Sequence, residues 1–390
     1  MVESDLSDNI HLCIIFHIEY PPSSSTAINE YTRHLARNGF DVSLIAGREN
    51  SDTPAKEEVN GVDVYRIETD LSTSVSPEPT RFGYRALKFL ENEIGIESVD
   101  ILQLRSFPNL GLILTPLPWK PSPFAVVSDV RGTAVSNPVF EKISHWGIRL
   151  QDYLVDETTV IDEHVRREIF PGRDDIPIVP IGADFERFTP DGPSIDFDRY
   201  GIDDEDIVLG YTGNLHSSRE LERLIHAFSI AHEEHPRLKL VFVGDGDART
   251  DLEQSAVYRG VADAITFVGS VPFEEVPAFV RSFDIGAAYI ADKPQYRNQP
   301  PLKTVEFLAS SLPVVATNTP GNRRFVGNRS NGLLSGDSPN EYAQASSELC
   351  EDSSVRATLK EKARESVREF DYERIVTDRL IPIYERLCTE

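Results

Sequence analysis

Short apolar runs alternate with longer helical patterns along most of the chain, and this alternation limits the possible folds more than any other feature. The first half has predicted strands at 11–18, 41–47, 61–68, 100–104, 124–130, 158–162 and 176–182. The second half has them at 207–213, 238–244, 264–270, 284–290 and 313–317. Strands that alternate with helices favour parallel sheets joined by crossover helices. The pattern therefore predicts an α/β protein.

A pause in this pattern divides the chain into two halves. Residues 183–206 contain nine acidic side chains and four Pro or Gly residues, and few aliphatic ones. A length of 390 residues also fits two domains, because single cores usually stop growing near ~250–300 residues. We predict doubly wound domains at 1–185 and 207–370 with a linker at 186–206. The helix predicted over 371–390 is of a kind that can cross back to the first domain.

The chain carries a formal net charge of −25, which argues against nucleic acid as a partner. Its basic residues are 30 arginines and 9 lysines. An acidic, lysine-poor composition is similar to that of proteins from salt-loving archaea, where net charge opposes self-association. An ordinary acidic cytosolic protein is the alternative. The three cysteines are far apart, and no run approaches ~18 apolar residues, so we expect a cytoplasmic protein.

The segment 297–317 contains the clearest candidate binding site. Pro300 and Pro301 mark a helix start, where backbone N–H groups lack partners within the helix. We expect these to be the N–H groups of Leu302, Lys303 and Thr304. Together with the helix dipole and the Lys303 charge, they predict an anion site. Glu306, on the same side of the helix, can accept hydrogen bonds from two ribose hydroxyls. The alternative is an ordinary amphipathic helix whose Lys and Glu pair in solvent.

An ordered set of segments in the second half points to a family. It comprises GYTGNLHSSRELERLIHAF (210–228), LVFVGDGDARTDLE (240–253), ITFVGS (265–270), PPLKTVEFLASSLPVVAT (300–317) and NGLL (331–334). This set resembles the retaining glycosyltransferases of family four, in a subgroup with Pro-Leu-Lys at the helix start. The resemblance covers 207–370 well and the first half loosely. It implies the GT-B fold, with two facing Rossmann-like domains and a C-terminal helical segment.

The resemblance implies roles for residues of the second half. Glu306 would bind the donor ribose, and the helix start at 302–304 would bind the diphosphate. Arg219, which follows the loop at Gly213, would neutralise the leaving diphosphate together with Lys303. Two positions depart from the family pattern: Asn298 stands where a glutamate is frequent, and Asn214 where an arginine is frequent.

In the first half, the resemblance implies substrate contacts after two strands. Ser24 and Ser25 lie in the loop PPSSSTAIN (21–29), where relatives often have two glycines. They can bind donor phosphate, or one of them can simply cap the helix. Asp129 and Arg131 end a predicted strand and would act on the reacting sugar and a phosphate. Their alternative is an ion pair that braces the turn at Gly132.

The predicted function is therefore retaining sugar transfer from a nucleotide-sugar donor to an acceptor hydroxyl, with neither a cofactor nor a metal. The alternatives are a nucleotide-sugar epimerase and a non-catalytic glycosyltransferase subunit. Residues Arg81, Arg85 and Lys88 form a basic helical stripe, with an apolar run at 107–119 nearby. They suggest peripheral contact with the inner membrane face and a glycan or polyprenyl-phosphate-linked acceptor. The alternative is a solvated stripe beside a core helix.

Overall fold

A computed structural model describes residues 10–20, 27–49, 52–70, 78–106, 124–132 and 138–389. The chain divides into two compact units. The first unit comprises Met1–Ile181 and Tyr372–Glu390, and the second comprises Gly182–Asp371. The second unit thus begins before the predicted linker at 186–206, and the C-terminal helices belong to the first unit.

The first unit contains a seven-stranded sheet with the order β3-β4-β2-β1-β5-β6-β7. Its strands are β1 His11–Glu19, β2 Asp41–Arg48, β3 Lys56–Val59, β4 Val62–Glu68, β5 Ile101–Ser106, β6 Ala125–Val130 and β7 Glu157–Val160. Its helices are α1 Ala27–Arg37, α2 Glu78–Phe89, α3 Pro138–Asp152 and α4 Glu163–Ile169. A π-helical turn, Leu90–Ile94, follows α2. All neighbouring strands are parallel except β3 and β4, which are antiparallel.

Both faces of the first sheet are covered. On β1, Leu12, Ile14 and Phe16 pack into one buried cluster, whereas Cys13 and Ile15 pack into another on the opposite face. This follows from the two-residue period of a strand. The first cluster includes side chains from the C-terminal segment, which consists of α11 Tyr372–Ile375, a π-helical stretch Val376–Leu380 and α12 Ile381–Thr389. The chain end therefore completes the core of the first unit.

The second unit contains a six-stranded parallel sheet with the order β10-β9-β8-β11-β12-β13. Its strands are β8 Ile207–Thr212, β9 Leu238–Val243, β10 Ile265–Gly269, β11 Ile285–Ala288, β12 Val314–Thr317 and β13 Gly332–Ser335. Its helices are α5 Glu222–Glu234, α6 Arg249–Tyr258, α7 Val276–Arg281, α8 Leu302–Ala309, α9 Pro339–Glu351 and α10 Ser353–Ser366. Together the two sheets confirm the predicted α/β class with two doubly wound sheets, the first mainly and the second wholly parallel.

Two local predictions differ from the structure. Residues 176–182 form no strand; they make one parallel bridge, between Val160 and Ile178. Pro177 and Pro180 lack the N–H groups that a longer ladder requires, so the predicted strand is wrong. Within 186–206, Phe188, Phe197 and Ile202 are buried in the core of the second unit. The segment is therefore part of that unit.

None of the described helices is both long enough and apolar enough to cross a membrane.

Candidate active site

The carboxyl edge of the second sheet is formed by turns that pack closely on one another. The Gly213 N–H donates to the Val243 carbonyl at 3.0 Å, and the Gly244 N–H donates to the Gly269 carbonyl at 2.9 Å. Gly244 has a φ of +139°, and a Cβ there would lie 2.1 Å from the Gly213 oxygen. Only glycine allows this approach. The GDGD segment is thus a turn that fixes the position of the Gly213 loop.

The segment after Gly213 carries Arg219 on a single 3₁₀ turn, Ser217–Arg219. Asp247, from the GDGD segment, accepts hydrogen bonds from the Ser217 backbone N–H and hydroxyl, each at 2.9 Å. These bonds hold the pKa of Asp247 below its usual value. The Arg219 guanidinium lies over the ring of Tyr296, 4.8 Å from its centroid. Arg219 is therefore positioned by the turn and by an aromatic face rather than by a carboxylate.

Lys303 approaches the same loop from the first turn of α8. Its Nζ lies 3.5 Å from the centroid of the Tyr211 ring, at the end of β8. A Cβ on Gly213 would lie 3.8 Å from this Nζ, so the glycine leaves its backbone open beside the ammonium group. Burial, together with the positive charge of Arg219, holds the pKa of Lys303 well below its usual value, and Glu306 partly opposes this. Burial likewise raises the pKa of Tyr211 to about 12.

Neither Arg219 nor Lys303 has a close carboxylate partner in the part of the chain that the structure describes. Two neighbouring basic side chains have carboxylate partners: Lys293 pairs with Glu220 at 2.7 Å, and Arg297 pairs with Asp292 at 3.1 Å. For Arg219 and Lys303, no described carboxylate oxygen lies within the 4.0 Å of an ion pair. Two close positive charges without such a partner favour the binding of an anion between them.

The start of α8 differs in one respect from the prediction. The Thr304 N–H donates to the Pro301 carbonyl at 3.1 Å, so it is not a free anion donor. The Thr304 side chain is fully buried and donates to Asn322 at 2.8 Å. Asn322 in turn donates to the Thr317 carbonyl at 2.9 Å. The prediction of a free N–H at Thr304 is therefore wrong, because this residue anchors the helix start to β12.

The remaining predicted residues of the second half lie around this helix start. Glu306 is buried, with 7% of its surface exposed, one turn after Lys303 on the same helix. Leu302 and Asn298 are half-buried, whereas Asn214 is exposed beside Gly213. A Cβ on Gly246 would lie 2.8 Å from the Asn214 side-chain oxygen, which places Asn214 against the GDGD turn.

In the first unit, Asp129 and Arg131 form a buried ion pair. The Arg131 Nε lies 2.7 Å from Asp129 Oδ2, and only 9% and 8% of the two side chains are exposed. The same guanidinium donates to the Tyr31 hydroxyl at 3.0 Å and to the Val179 carbonyl at 3.1 Å. Burial disfavours the charge, but Asp129 and Tyr31 together raise the pKa of Arg131. These contacts connect the end of β6 to α1, through Tyr31, and to the segment around Val179, so the pair stabilises the packing of the first unit.

Sequence reasoning missed Arg105, at the end of β5 beside Asp129 in the sheet register. Its guanidinium lies over the Phe16 ring, 4.5 Å from the centroid. Burial and the charge of Arg131 lower the pKa of Arg105, and Asp129 opposes this. A single arginine at the end of an apolar run gives no sequence signal until the neighbouring strand is known. Ser24 and Ser25 lie outside the described residues.

The three cations of the basic stripe are exposed and paired with nearby carboxylates. Arg81 and Arg85 both pair with Glu78 on the same helix, and Lys88 pairs with Glu91 at 2.6 Å. Four apolar residues of the same segment pack inside the first unit: Phe82, Leu87 and Leu90 are buried, and Phe89 is partly buried against them. These side chains are therefore not available to a membrane. The run at 107–119 lies outside the described residues.

Comparison with known sequences identifies a class for the second unit. Residues 194–366 match the family model described as Glycosyl transferases group 1. The D-inositol 3-phosphate glycosyltransferase of Corynebacterium jeikeium is 30% identical over 224 residues, which cover 54% of this chain and 52% of that protein. The chain thus spans about half the length of the curated relatives that it matches. The second unit is similar to a group 1 glycosyltransferase domain.

Solved structures extend the likeness to nearly the whole chain. Sucrose-phosphate synthase from Thermosynechococcus elongatus gives a TM-score of 0.78 at 15% identity, covering 97% of this chain and 99% of its own. Anabaena HepE, solved in complex with UDP, gives a TM-score of 0.71 at 15% identity, covering 98% of this chain and 100% of its own. At such identities the likeness concerns the fold, which is that of GT-B glycosyltransferases.

Proposed function

We propose that the chain is a retaining glycosyltransferase that moves a sugar from a nucleoside-diphosphate donor to an acceptor hydroxyl. The observation that carries the proposal is the pair of cations, Arg219 and Lys303, which meet at the carboxyl edge of the second sheet without a close carboxylate. A diphosphate leaving group develops negative charge as its bond to the sugar breaks. Fixed cations at that point stabilise the transition state.

The other residues of the site have separate roles in this proposal. The Leu302 N–H and the N-terminal dipole of α8 face the donor phosphates, and Gly213 lets the backbone approach them. The buried carboxylate of Glu306 accepts hydrogen bonds from the ribose hydroxyls. Asn214 and Asn298 bind uncharged parts of the donor. UDP is a suitable first probe, because HepE shares the fold and was solved with that nucleotide. The reaction uses no cofactor or resident metal.

We place the acceptor with the first unit. Asp129 orients the reacting hydroxyl, or fixes Arg131, while Arg105 and Arg131 supply positive charge for a phosphate on the acceptor. A curated relative is named for D-inositol 3-phosphate, which is a phosphorylated substrate. Our proposed acceptor is a glycan or a polyprenyl-phosphate-linked sugar. Ser24 and Ser25 are proposed to contact the donor from the same unit.

A lipid-linked acceptor requires peripheral contact with the inner membrane face, and we propose such contact. Flotation with anionic liposomes tests it. Wild type should float, and a variant with Arg81, Arg85 and Lys88 changed to Glu should float equally, because these cations pair with carboxylates of α2 and of the π-helical turn that follows it. If wild type does not float, the membrane proposal is rejected. If only the variant fails to float, the three cations of α2 make the membrane contact.

Donor turnover without an acceptor tests the proposed activity against its two alternatives. We expect slow release of nucleoside diphosphate from the correct nucleotide sugar, and loss of this release in Lys303→Met. An epimerase would interconvert two sugars without net nucleotide release. A non-catalytic subunit, which Asn298 and Asn214 suggest, would release nothing from any donor. Either of these results would reject the proposal.

A further inference from the structure

Two helices of the first unit bring a cluster of histidine and glutamate side chains together. Glu141 and His145 lie one turn apart on α3, and Glu168 lies at the end of α4. One ligand atom from each of these three residues lies within 4.8 Å of the other two. Across the two helices, His145 Nε2 lies 4.0 Å from Glu168 Oε1. The cluster belongs to neither the donor site nor the Asp129–Arg131 pair.

The imidazole of His145 is largely buried within this cluster. Only 12% of its side chain is exposed, and its Nε2 is closed to solvent. Within the described part of the chain, that nitrogen has no hydrogen-bond partner. Buried polar atoms are normally satisfied, and each exception requires an explanation. The imidazole lies within 4.8 Å of both carboxylates, and a cation between the three groups would satisfy it.

We propose that Glu141, His145 and Glu168 bind one divalent transition-metal ion, with Zn²⁺ as the best candidate. Imidazole and carboxylate together suit zinc, whereas Mg²⁺ and Ca²⁺ prefer oxygen ligands alone. A tetrahedral zinc ion with bonds near ~2.0–2.1 Å separates its ligand atoms by roughly 3.3 Å. The observed atoms need only a small inward movement of side chains to reach that spacing.

His164 acts on this site through Glu168. Its Nε2 lies 3.3 Å from Glu168 Oε2, the carboxylate oxygen other than the one nearest His145. A group that holds a ligating carboxylate in this way is a usual part of metal sites.

The site joins two helices whose inner faces already share a core. Ile148 of α3 and Val165 and Ile169 of α4 pack into the same buried cluster. The metal would therefore join the start of α3 to the end of α4. In the sequence, both helices lie between β6 and the first residue of the second unit. We assign the metal a structural role, which does not depend on the proposed transferase activity.

Zinc titration of the metal-stripped full-length chain tests this proposal, with a chromophoric chelator as competitor. Wild type should bind one Zn²⁺ per chain, and His145→Ala and Glu168→Gln should each lose that ion. His235→Ala is the matched control: His235 also has a buried Nε2, 3.7 Å from Glu351, and among the described residues it has neither a hydrogen-bond partner nor a third ligand. The control variant should bind zinc like wild type.

Thermal unfolding provides a second readout, because an ion that binds only the folded state raises the melting temperature. Zinc should raise the Tm of wild type and of His235→Ala, but not that of Glu141→Gln. Glutamine keeps the shape of the glutamate side chain, so Glu141→Gln serves as the test variant if His145→Ala fails to fold. Absence of bound zinc in wild type would overturn the proposal. So would an unchanged zinc affinity in both Glu141→Gln and Glu168→Gln, because the ion would then be bound elsewhere.

Discussion

The ammonium nitrogen of Lys303 lies 3.5 Å from the centre of the Tyr211 ring, and this contact joins the start of α8 to the end of β8. The ring face attracts the cation, but burial and Arg219 disfavour its charged form. The site therefore has an excess of positive charge when no anion is bound. A donor diphosphate would supply the missing negative charge.

Nucleotide binding should therefore be coupled to proton uptake. The pKa of Lys303 is held well below its ordinary value near 10.5, and a bound diphosphate raises it again. Between the pKa values of the free and bound states, affinity for UDP should fall as pH rises; below the pKa of the free state it should not change. Calorimetry in buffers of different ionisation enthalpy measures the uptake, which Lys303→Met should abolish. Equal uptake in wild type and variant would reject this role.

Glu306→Gln should weaken UDP binding by about 10- to 100-fold, because hydrogen bonds to a charged group contribute ~1.5–3 kcal/mol. The amide retains the shape of the carboxylate, so the loss reports charge and hydrogen bonding rather than packing. Glu222→Gln is the control, since Glu222 is exposed in the first turn of the neighbouring helix α5. Titration calorimetry measures both. A Glu306→Gln variant that binds UDP like the control would remove the ribose assignment.

The Asp129–Arg131 pair can be a brace, part of the reacting site, or both. Arg131→Met should lower the free energy of unfolding by about 3–5 kcal/mol, because it leaves a buried carboxylate unpaired. Adding Asp129→Asn should restore part of that loss. If the pair only braces β6, transfer by the stable double variant should recover along with folding. Persistent loss of kcat in a double variant that is folded would show a direct part in the reaction.

The acidic composition leads to a salt prediction. Repulsion within a chain of net charge −25 is screened by salt, so activity or stability should fall below ~0.5 M salt. Activity and thermal unfolding measured from dilute buffer to several molar KCl test this. NaCl and KCl series should agree if the effect is screening. Full activity in dilute buffer would contradict this prediction, which follows from the similarity of composition to proteins of salt-loving archaea.

Local patterns were enough to predict most strands of both sheets in their order along the chain, because buried parallel strands are short continuous apolar runs. The failures have local causes. Pro177 and Pro180 interrupt an apolar run that resembles a strand, and β13 at Gly332–Ser335 is too short to stand out. The hydrogen bond from the Thr304 N–H to the Pro301 carbonyl depends on the local backbone turn at the start of α8, which the residue pattern does not reveal.

Candidate site residues could be proposed from the sequence where one segment carries several of them. Lys303 and Glu306 lie on one helix, so their spacing alone suggested a common site. Arg105 and the metal ligands come together only through tertiary structure. The spacing Glu141-x₃-His145 is visible in the sequence, but such pairs are common on solvated helices. Only the packing of α3 against α4 brings Glu168 to them.

A thermal-shift panel of nucleotide sugars at molar salt tests the central claim most directly, with wild type beside the double variant Arg219→Ala/Lys303→Met. A donor present at 100 times its Kd stabilises the folded state by ~2.7 kcal/mol, which raises the Tm of a unit of this size by about 5–10 °C. We predict that at least one nucleotide sugar gives this shift in wild type and none gives it in the double variant. No shift with any nucleotide sugar, or equal shifts in both proteins, would contradict the assignment of the donor site.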